Sequence, residues 1–252
     1  MNDAAPPYGT VAFDCDSTLS AIEGIDELAL LVCAGRGDAA AELAREIAAL
    51  TERAMAGEIP LEEVYRGRLE RLSPDRAALE AVGALYVERR LPHAEHLVAA
   101  LAALGKRVCI VSGGLLQPVL RLAQRLGIDE RDVFAVEAFL DREGRYAGSD
   151  DESPCARAGG KLEVLRALSS ADRGGGVALV GDGATDLEAA PAARRFVAFG
   201  GVARRPTVFD AAEITCESPD LAALLPLLAA PDEIERLAAL GGHEALLHAS
   251  HP

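Results

Sequence analysis

Thr10-Val11-Ala12-Phe13-Asp14-Cys15-Asp16-Ser17-Thr18 is a short β-prone run that ends in two carboxylates one residue apart. So apolar a run predicts a strand buried in a sheet, and the turn after it places both aspartates at the strand's carboxyl end. Further runs of this kind follow at Arg107–Val111, Val177–Val180 and Phe196–Phe199, and more weakly at Glu213–Cys216. Helical stretches separate them, and strands alternating with helices predict an α/β fold with a Rossmann-like parallel sheet. Two of the later runs also end in polar or glycine-rich turns, Ser112-Gly113-Gly114 and Gly181-Asp182-Gly183-Ala184-Thr185-Asp186. Open parallel sheets bind ligands beyond the carboxyl ends of their strands, so the three turns are expected to line one crevice.

The stretch from Glu23 to Pro92 contains helical periodicity and no convincing strand. Helices are expected near Asp26–Cys33, Asp38–Ala54, Pro60–Leu72 and Asp75–Arg89, with Gly35, Gly37, Gly57 and Pro74 as breaks. The predicted organisation is therefore a discontinuous core, residues 1–22 and 93–230, with a helical cap at 23–92 inserted after the first strand. Residues 231–252 form a tail that reads as one or two short amphipathic helices. Val133–Asp141 and Arg145–Tyr146, around Glu143-Gly144, are expected to form a β-hairpin on the sheet's edge. The run Gly174-Gly175-Gly176 reads as a loop.

Composition narrows the partners. The chain has 252 residues, half of them apolar, and a formal charge of −15 from 40 acidic and 25 basic residues. Such a surface repels nucleic acid and anionic membrane, and with no tryptophan and 4% aromatic residues there is little to stack on bases. No signal peptide or membrane-spanning segment is evident. The five cysteines, at 15, 33, 109, 155 and 216, never form a CxxC pair and read as reduced thiols of a cytoplasmic protein.

Asp14 and Asp16, with Asp182 and Asp186 from a second strand end, concentrate negative charge where desolvation is costly. A hard divalent cation such as Mg²⁺, which takes carboxylates and bridges to phosphate, would offset it. The competing reading, that each aspartate caps a helix or turn, weakens when all four meet at two strand ends. Ser112 and the glycines after it offer a hydroxyl and free amides to an anion, and Lys161 sits at a predicted helix start where a cation opposes the dipole. Arg68 lies within the apolar stripe Leu61, Val64, Tyr65, Leu69 and Leu72, and a buried guanidinium calls for an anionic partner. His93 and His96 flank Glu95, but without a third ligand cluster they read as a solvated helix end rather than a zinc site.

In order along the chain, the DxD[ST]T turn, the Ser-Gly-Gly turn, the distal lysine and GDGxTD resemble the haloacid dehalogenase superfamily of phosphatases. Asp14–Thr18 followed by Glu23-Gly24-Ile25-Asp26-Glu27-Leu28 is similar, within it, to the phosphoserine phosphatases, and the likeness runs from about Val11 to Leu228. The resemblance implies that Asp14 is a nucleophile that becomes an aspartyl-phosphate, and that Asp16 is the general acid and then the base. It implies that Asp14, the Asp16 carbonyl and Asp182 hold Mg²⁺, with Asp186 steadying a metal-bound water. Ser112, Gly113 and Lys161 would grip phosphate, Glu23 the substrate ammonium and Arg68 its carboxylate, with Met55, Thr185 and Arg205 at family positions nearby. The sequence departs from the family at Leu61, which replaces a phenylalanine, at Val136, and at His93, where glycine is usual.

The implied activity is Mg²⁺-dependent hydrolysis of O-phospho-L-serine to L-serine, the last step of serine biosynthesis. Two alternatives stay open: a phosphatase or phosphotransferase acting on another small phosphate monoester, or a phospho-accepting signalling module. Asp16 argues against the module, because an acid–base group beside the nucleophile shortens the life of the phosphoryl group. The expected partner is a small phosphate ester, and the sequence leaves a homodimer open.

Overall fold

Every residue of β1 (Thr10–Phe13) is buried, and the strand pairs in parallel on both sides, with Val11 opposite Val108 on one neighbour and Ala178 on the other. The computed structural model describes residues 8–172 and 175–250, except for the side chains at 61–64 and 66. The side chains of Leu61 and Val64, and all of Gly174 and His251, lie outside the described residues.

After β1 come α1 (Gly24–Cys33), α2 (Asp38–Met55), α3 (Leu61–Leu72), α4 (Arg76–Glu88) and α5 (Ala94–Ala103). β2 (Arg107–Leu115), α6 (Leu116–Leu126), β3 (Val133–Val136), β4 (Ala138–Leu140), β5 (Tyr146–Ser149) and α7 (Gly160–Ala171) follow. The chain continues through β6 (Val177–Gly181), α8 (Ala184–Ala189), β7 (Arg195–Phe199), α9 (Pro206–Phe209) and β8 (Thr215–Cys216). It ends in α10 (Leu225–Leu228), α11 (Pro231–Leu240) and α12 (Glu244–Ala249).

Among the described residues the main sheet has the order β3-β2-β1-β6-β7-β8, all parallel. Chain order reverses beside β1, so β1 and β6 border the switch point where a crevice opens at the carboxyl ends. Burial follows from this placement: β1 and β6 lie at the centre of the sheet, are buried along their whole length and carry no polar alternation. The helices α1 to α4 are inserted between β1 and β2, and α4 packs on α6 while the end of α2 reaches α8.

The expected hairpin over Val133–Tyr146 is corrected. Val133–Val136 joins the main sheet as a parallel edge strand, with Val111 opposite Phe134, and the hairpin is the separate pair β4 and β5. Buried Val133 and Val136 anchor the first half to the core beneath α6, whereas the turn at Asp141 closes only the second half. There, Asp141 Oδ1 accepts from the amides of Glu143 and Arg145, and Gly144 takes a φ of +81°.

The tail docks on the core. Glu233 of α11 receives the Lys106 ammonium at 2.8 Å with both side chains almost fully buried, and Leu237 and Leu246 are sealed from solvent. Glu233→Ala would leave Lys106 buried without its counter-charge, and the expected cost is about 3 kcal/mol, read as a lowered midpoint in urea unfolding. A midpoint within error of wild type would show the tail to be dispensable to the core.

Candidate active site

The turn after β1 carries two carboxylates to different jobs. Asp14 Oδ1 accepts the Cys15 amide at 2.7 Å and its Oδ2 meets Lys161 Nζ at 2.9 Å. Asp16 turns the other way: its Oδ1 accepts the Gly24 amide at 2.5 Å and the Tyr86 hydroxyl at 2.6 Å, and its Oδ2 lies 3.4 Å from Ser112 Oγ. Cys15, between them, is fully buried in the core. The turn is tightened by Ser17 in a left-handed conformation (φ +49°), whose hydroxyl donates to Glu23 Oε1 at 2.8 Å.

Beyond β6, Asp182 and Asp186 meet Asp14, and oxygens of the three buried carboxylates lie within 4.8 Å of one another. Gly181 makes this possible, because a Cβ there would stand 2.3 Å from the Asp186 carboxyl carbon. Lys161, the second residue of α7, is buried and bridges Asp14 and Asp186, with 2.8 Å to Asp186 Oδ1. An all-oxygen, strongly acidic set of this kind suits a hard divalent cation.

The Ser112-Gly113-Gly114 stretch differs from the predicted turn. It stays within β2, but the ladder to β3 loses register between Val111 and Leu115, so these residues bulge out of the pairing. Ser112 Oγ accepts the Gly114 amide at 3.0 Å, and both glycines line the pocket.

One cavity is lined by Asp14, Asp16, Gly113 and Lys161 from the sheet side and by Glu23, Met55 and Arg68 from the inserted helices, with Thr185 beside them. Arg68 is buried; its NH1 donates to Thr51 Oγ1 at 2.9 Å, and Thr51 in turn donates to Asp26 Oδ1 at 2.7 Å. Its Nε has no hydrogen-bond partner among the described residues. Met55 lies over the loop at Gly183, tying the end of α2 to the sheet. Arg205 sits just outside as a clasp, its Nε on Asp182 Oδ2 at 2.9 Å, NH2 on Glu23 Oε1 at 3.1 Å and NH1 on Glu52 at 3.0 Å.

Electrostatics follow from burial and crowding. Burial, followed by the Asp14 charge, pushes Asp16 up to about 6, although the bonds from Tyr86 and Gly24 pull it back. Burial and Asp14 likewise push Asp182 up to about 7 against the pull of Arg205, and raise Asp186 well above the usual range. Glu23 is raised by burial and then by Asp16. Burial works against the Lys161 charge, but Asp14 and Asp186 outweigh it and hold the amine protonated. Burial alone is the main force lowering the pKa of Arg68.

The structure thus gathers all the sequence-derived candidates, including Arg205, around one cavity and its acidic floor. Sequence reasoning missed Tyr86, Thr51, Asp26 and Glu52. Tyr86 carried a faint signal, as the polar-tipped member of the buried face Leu79, Val82, Gly83 and Tyr86 of α4. His93 and His96 hold no metal-like cluster with Glu95 among the described residues; His93 Nδ1 instead lies 2.8 Å from Asp220.

Residues 8–194 match the family model of haloacid dehalogenase-like hydrolases. Human phosphoserine phosphatase is 36% identical over 203 residues, spanning 81% of this chain and 86% of that protein. The phosphoserine phosphatase of Albidiferax ferrireducens is 37% identical over 237 residues, 88% of this chain and 92% of its own. A solved phosphoserine phosphatase, described as a phospho-aspartyl intermediate analogue, superposes with a TM-score of 0.71 at 26% identity, covering 89% of this chain and all of that one. No described helix is long and apolar enough to cross a membrane. With family model, relatives and fold in agreement over most of its length, the chain belongs to the haloacid dehalogenase-like hydrolases, among the phosphoserine phosphatases.

Proposed function

We propose that the protein hydrolyses O-phospho-L-serine to L-serine and phosphate through a phosphoryl group carried on Asp14. The observation that carries the substrate assignment is Arg68, buried with a free Nε in the same cavity as the Asp14 and Asp16 pair. A planar guanidinium with an open donor fits a carboxylate. Glu23 also lines the cavity, and among the described residues its side-chain hydrogen bonds, with Ser17 and Arg205, fall on Oε1, which leaves Oε2 for an ammonium group.

Asp14, Asp182, Asp186 and the Asp16 carbonyl would hold Mg²⁺, which when bound lowers the charge barrier between carboxylate and phosphate. Asp14 attacks phosphorus, its bond forms as the ester bond breaks, and the departing serine oxygen takes the electron pair and a proton from Asp16. Water then attacks phosphorus and gives its proton to Asp16, which frees Asp14. Asp16 is suited to both halves because its pKa of about 6 lies near neutrality. Lys161 offsets negative charge beside Asp14, and Ser112 with the amide of Gly113 receives the phosphoryl oxygens.

Phosphate release from a panel of monoesters, with Mg²⁺ and with EDTA, tests the reading. Phosphoserine is expected to be the preferred substrate and EDTA to stop the reaction. Preference for an ester without a carboxylate would move the assignment to another small monoester, the role for which Arg68 has no use.

Metal binding has a pH signature. Asp16 and Asp182 are raised in the folded state, so their contribution to stability is present below the ordinary aspartate range and is lost as pH rises through about 6 to 7. The metal-free protein is therefore expected to melt at a lower temperature at pH about 8 than at about 5.5, and Mg²⁺ to raise the melting temperature more at the higher pH. Scanning fluorimetry at both values checks this, and an equal Mg²⁺ effect at the two would remove the carboxylates as the site.

A further inference from the structure

The two oxygens of Asp16 have different neighbours. Oδ1 receives two donors, the Gly24 amide at 2.5 Å and the Tyr86 hydroxyl at 2.6 Å, while Oδ2 accepts one longer bond, from the Ser112 hydroxyl at 3.4 Å. Both donors come from the inserted helices, Gly24 from the start of α1 and Tyr86 from the last turn of α4.

The approach of the phenol is built into the packing. Tyr86 is 1% exposed, its carbonyl accepts the Ser20 hydroxyl at 3.1 Å, and any side chain at 24 would put a Cβ 2.1 Å from the phenol oxygen. A phenylalanine would fill the same space, so packing alone does not explain a hydroxyl aimed at a catalytic carboxylate. A buried hydroxyl needs an acceptor, and here the acceptor is the one oxygen of Asp16 turned away from the phosphate cradle.

Building on the phosphatase reading above, we infer that Tyr86 is a positioning residue for proton transfer, saturating Oδ1 of Asp16 together with Gly24 so that Oδ2 handles the proton. In the first step the bond from phosphorus to the serine oxygen breaks as the Asp14 bond forms, and that oxygen takes the Oδ2 proton. In the second, the bond from water to phosphorus forms as the Asp14 bond breaks, and the water proton goes to Oδ2. With Oδ1 unclamped, the carboxyl can rotate and present either oxygen, and the productive fraction falls. The inserted helices thereby set the reactive geometry as well as enclosing the substrate.

Tyr86→Phe keeps the ring and removes the bond. With phosphoserine, kcat is expected to fall about tenfold or more while KM changes less than about twofold. Acetyl phosphate supplies the decisive comparison, because acetate departs without a proton: the single-turnover rate of phosphoenzyme formation from it should be unchanged by the substitution, whereas that from phosphoserine should drop. Slowing of both formations by the same factor would mean that Tyr86 acts through packing and would overturn the inference, as would an unaltered kcat with phosphoserine. In either case wild-type turnover of phosphoserine leaves the phosphatase reading standing; a wild-type enzyme that releases no phosphate from phosphoserine removes that reading and the inference with it.

Discussion

Replacing Asp14 with asparagine is expected to abolish turnover and phosphoenzyme formation while leaving the fold in place. Asparagine keeps the shape and keeps an oxygen to accept the Cys15 amide, which Asp14 Oδ1 holds at 2.7 Å. Lys161 loses one counter-ion but retains Asp186 at 2.8 Å, so the buried ammonium is not orphaned. What disappears is the anionic oxygen proposed to attack phosphorus, and an amide is no substitute for it. Loss of the nucleophile from a catalytic unit costs on the order of 10⁶ in rate. Rapid quench with labelled phosphoserine should trap a hydroxylamine-labile phosphoprotein with the wild type and none with the variant, whose melting temperature should shift little. Activity near wild type would exclude a covalent path through Asp14.

The acidic floor is legible in the sequence because it depends on local position. Asp14 and Asp182 each follow a buried strand directly, and a parallel sheet brings strand ends together whatever the rest of the chain does. The bulge at Ser112–Gly114 is harder to read: a strand that leaves its ladder after Val111 and rejoins it at Leu115 looks like a turn when only spacing is available. Val133–Val136 reads as half of a hairpin for a related reason, since a valine-rich segment beside a turn satisfies a hairpin or a parallel edge strand equally, and burial beneath α6 decides. Tyr86, Thr51 and Glu52 belong to helices whose faces meet the site only after tertiary packing, and no spacing rule links Tyr86 to Asp16 across 70 residues. At His93 the structure explains the sequence's departure from its family. The residue takes a φ of +57°, a conformation that suits glycine, and the imidazole bond to Asp220 helps to hold it there.

Arg68→Ala is expected to cripple phosphoserine hydrolysis while sparing the chemistry. The side chain is buried, its Nε has no partner among the described residues, and burial drives its pKa down, so the free protein holds a guanidinium short of one anion. Thr51, itself held by Asp26, fixes one edge of the fork through NH1 and leaves the rest for the ligand. Truncating one partner of such a desolvated pair costs roughly 2–5 kcal/mol, about thirtyfold to several thousandfold in kcat/KM. Lysine should restore only part of this, because a point charge lacks the planar fork. Phosphoethanolamine separates recognition from structure: it carries the phosphate and ammonium of phosphoserine without the carboxylate. It should be a poor substrate for the wild type and nearly indifferent to the substitution, because the interaction that Arg68 supplies has nothing to meet. Measuring kcat/KM for both esters with both proteins forms a cycle whose coupling term reports the contact between Arg68 and the carboxylate. Equal slowing of the two esters would instead make Arg68 a support for Thr51 and the helices around it, and the preference for an amino-acid phosphate would need another source.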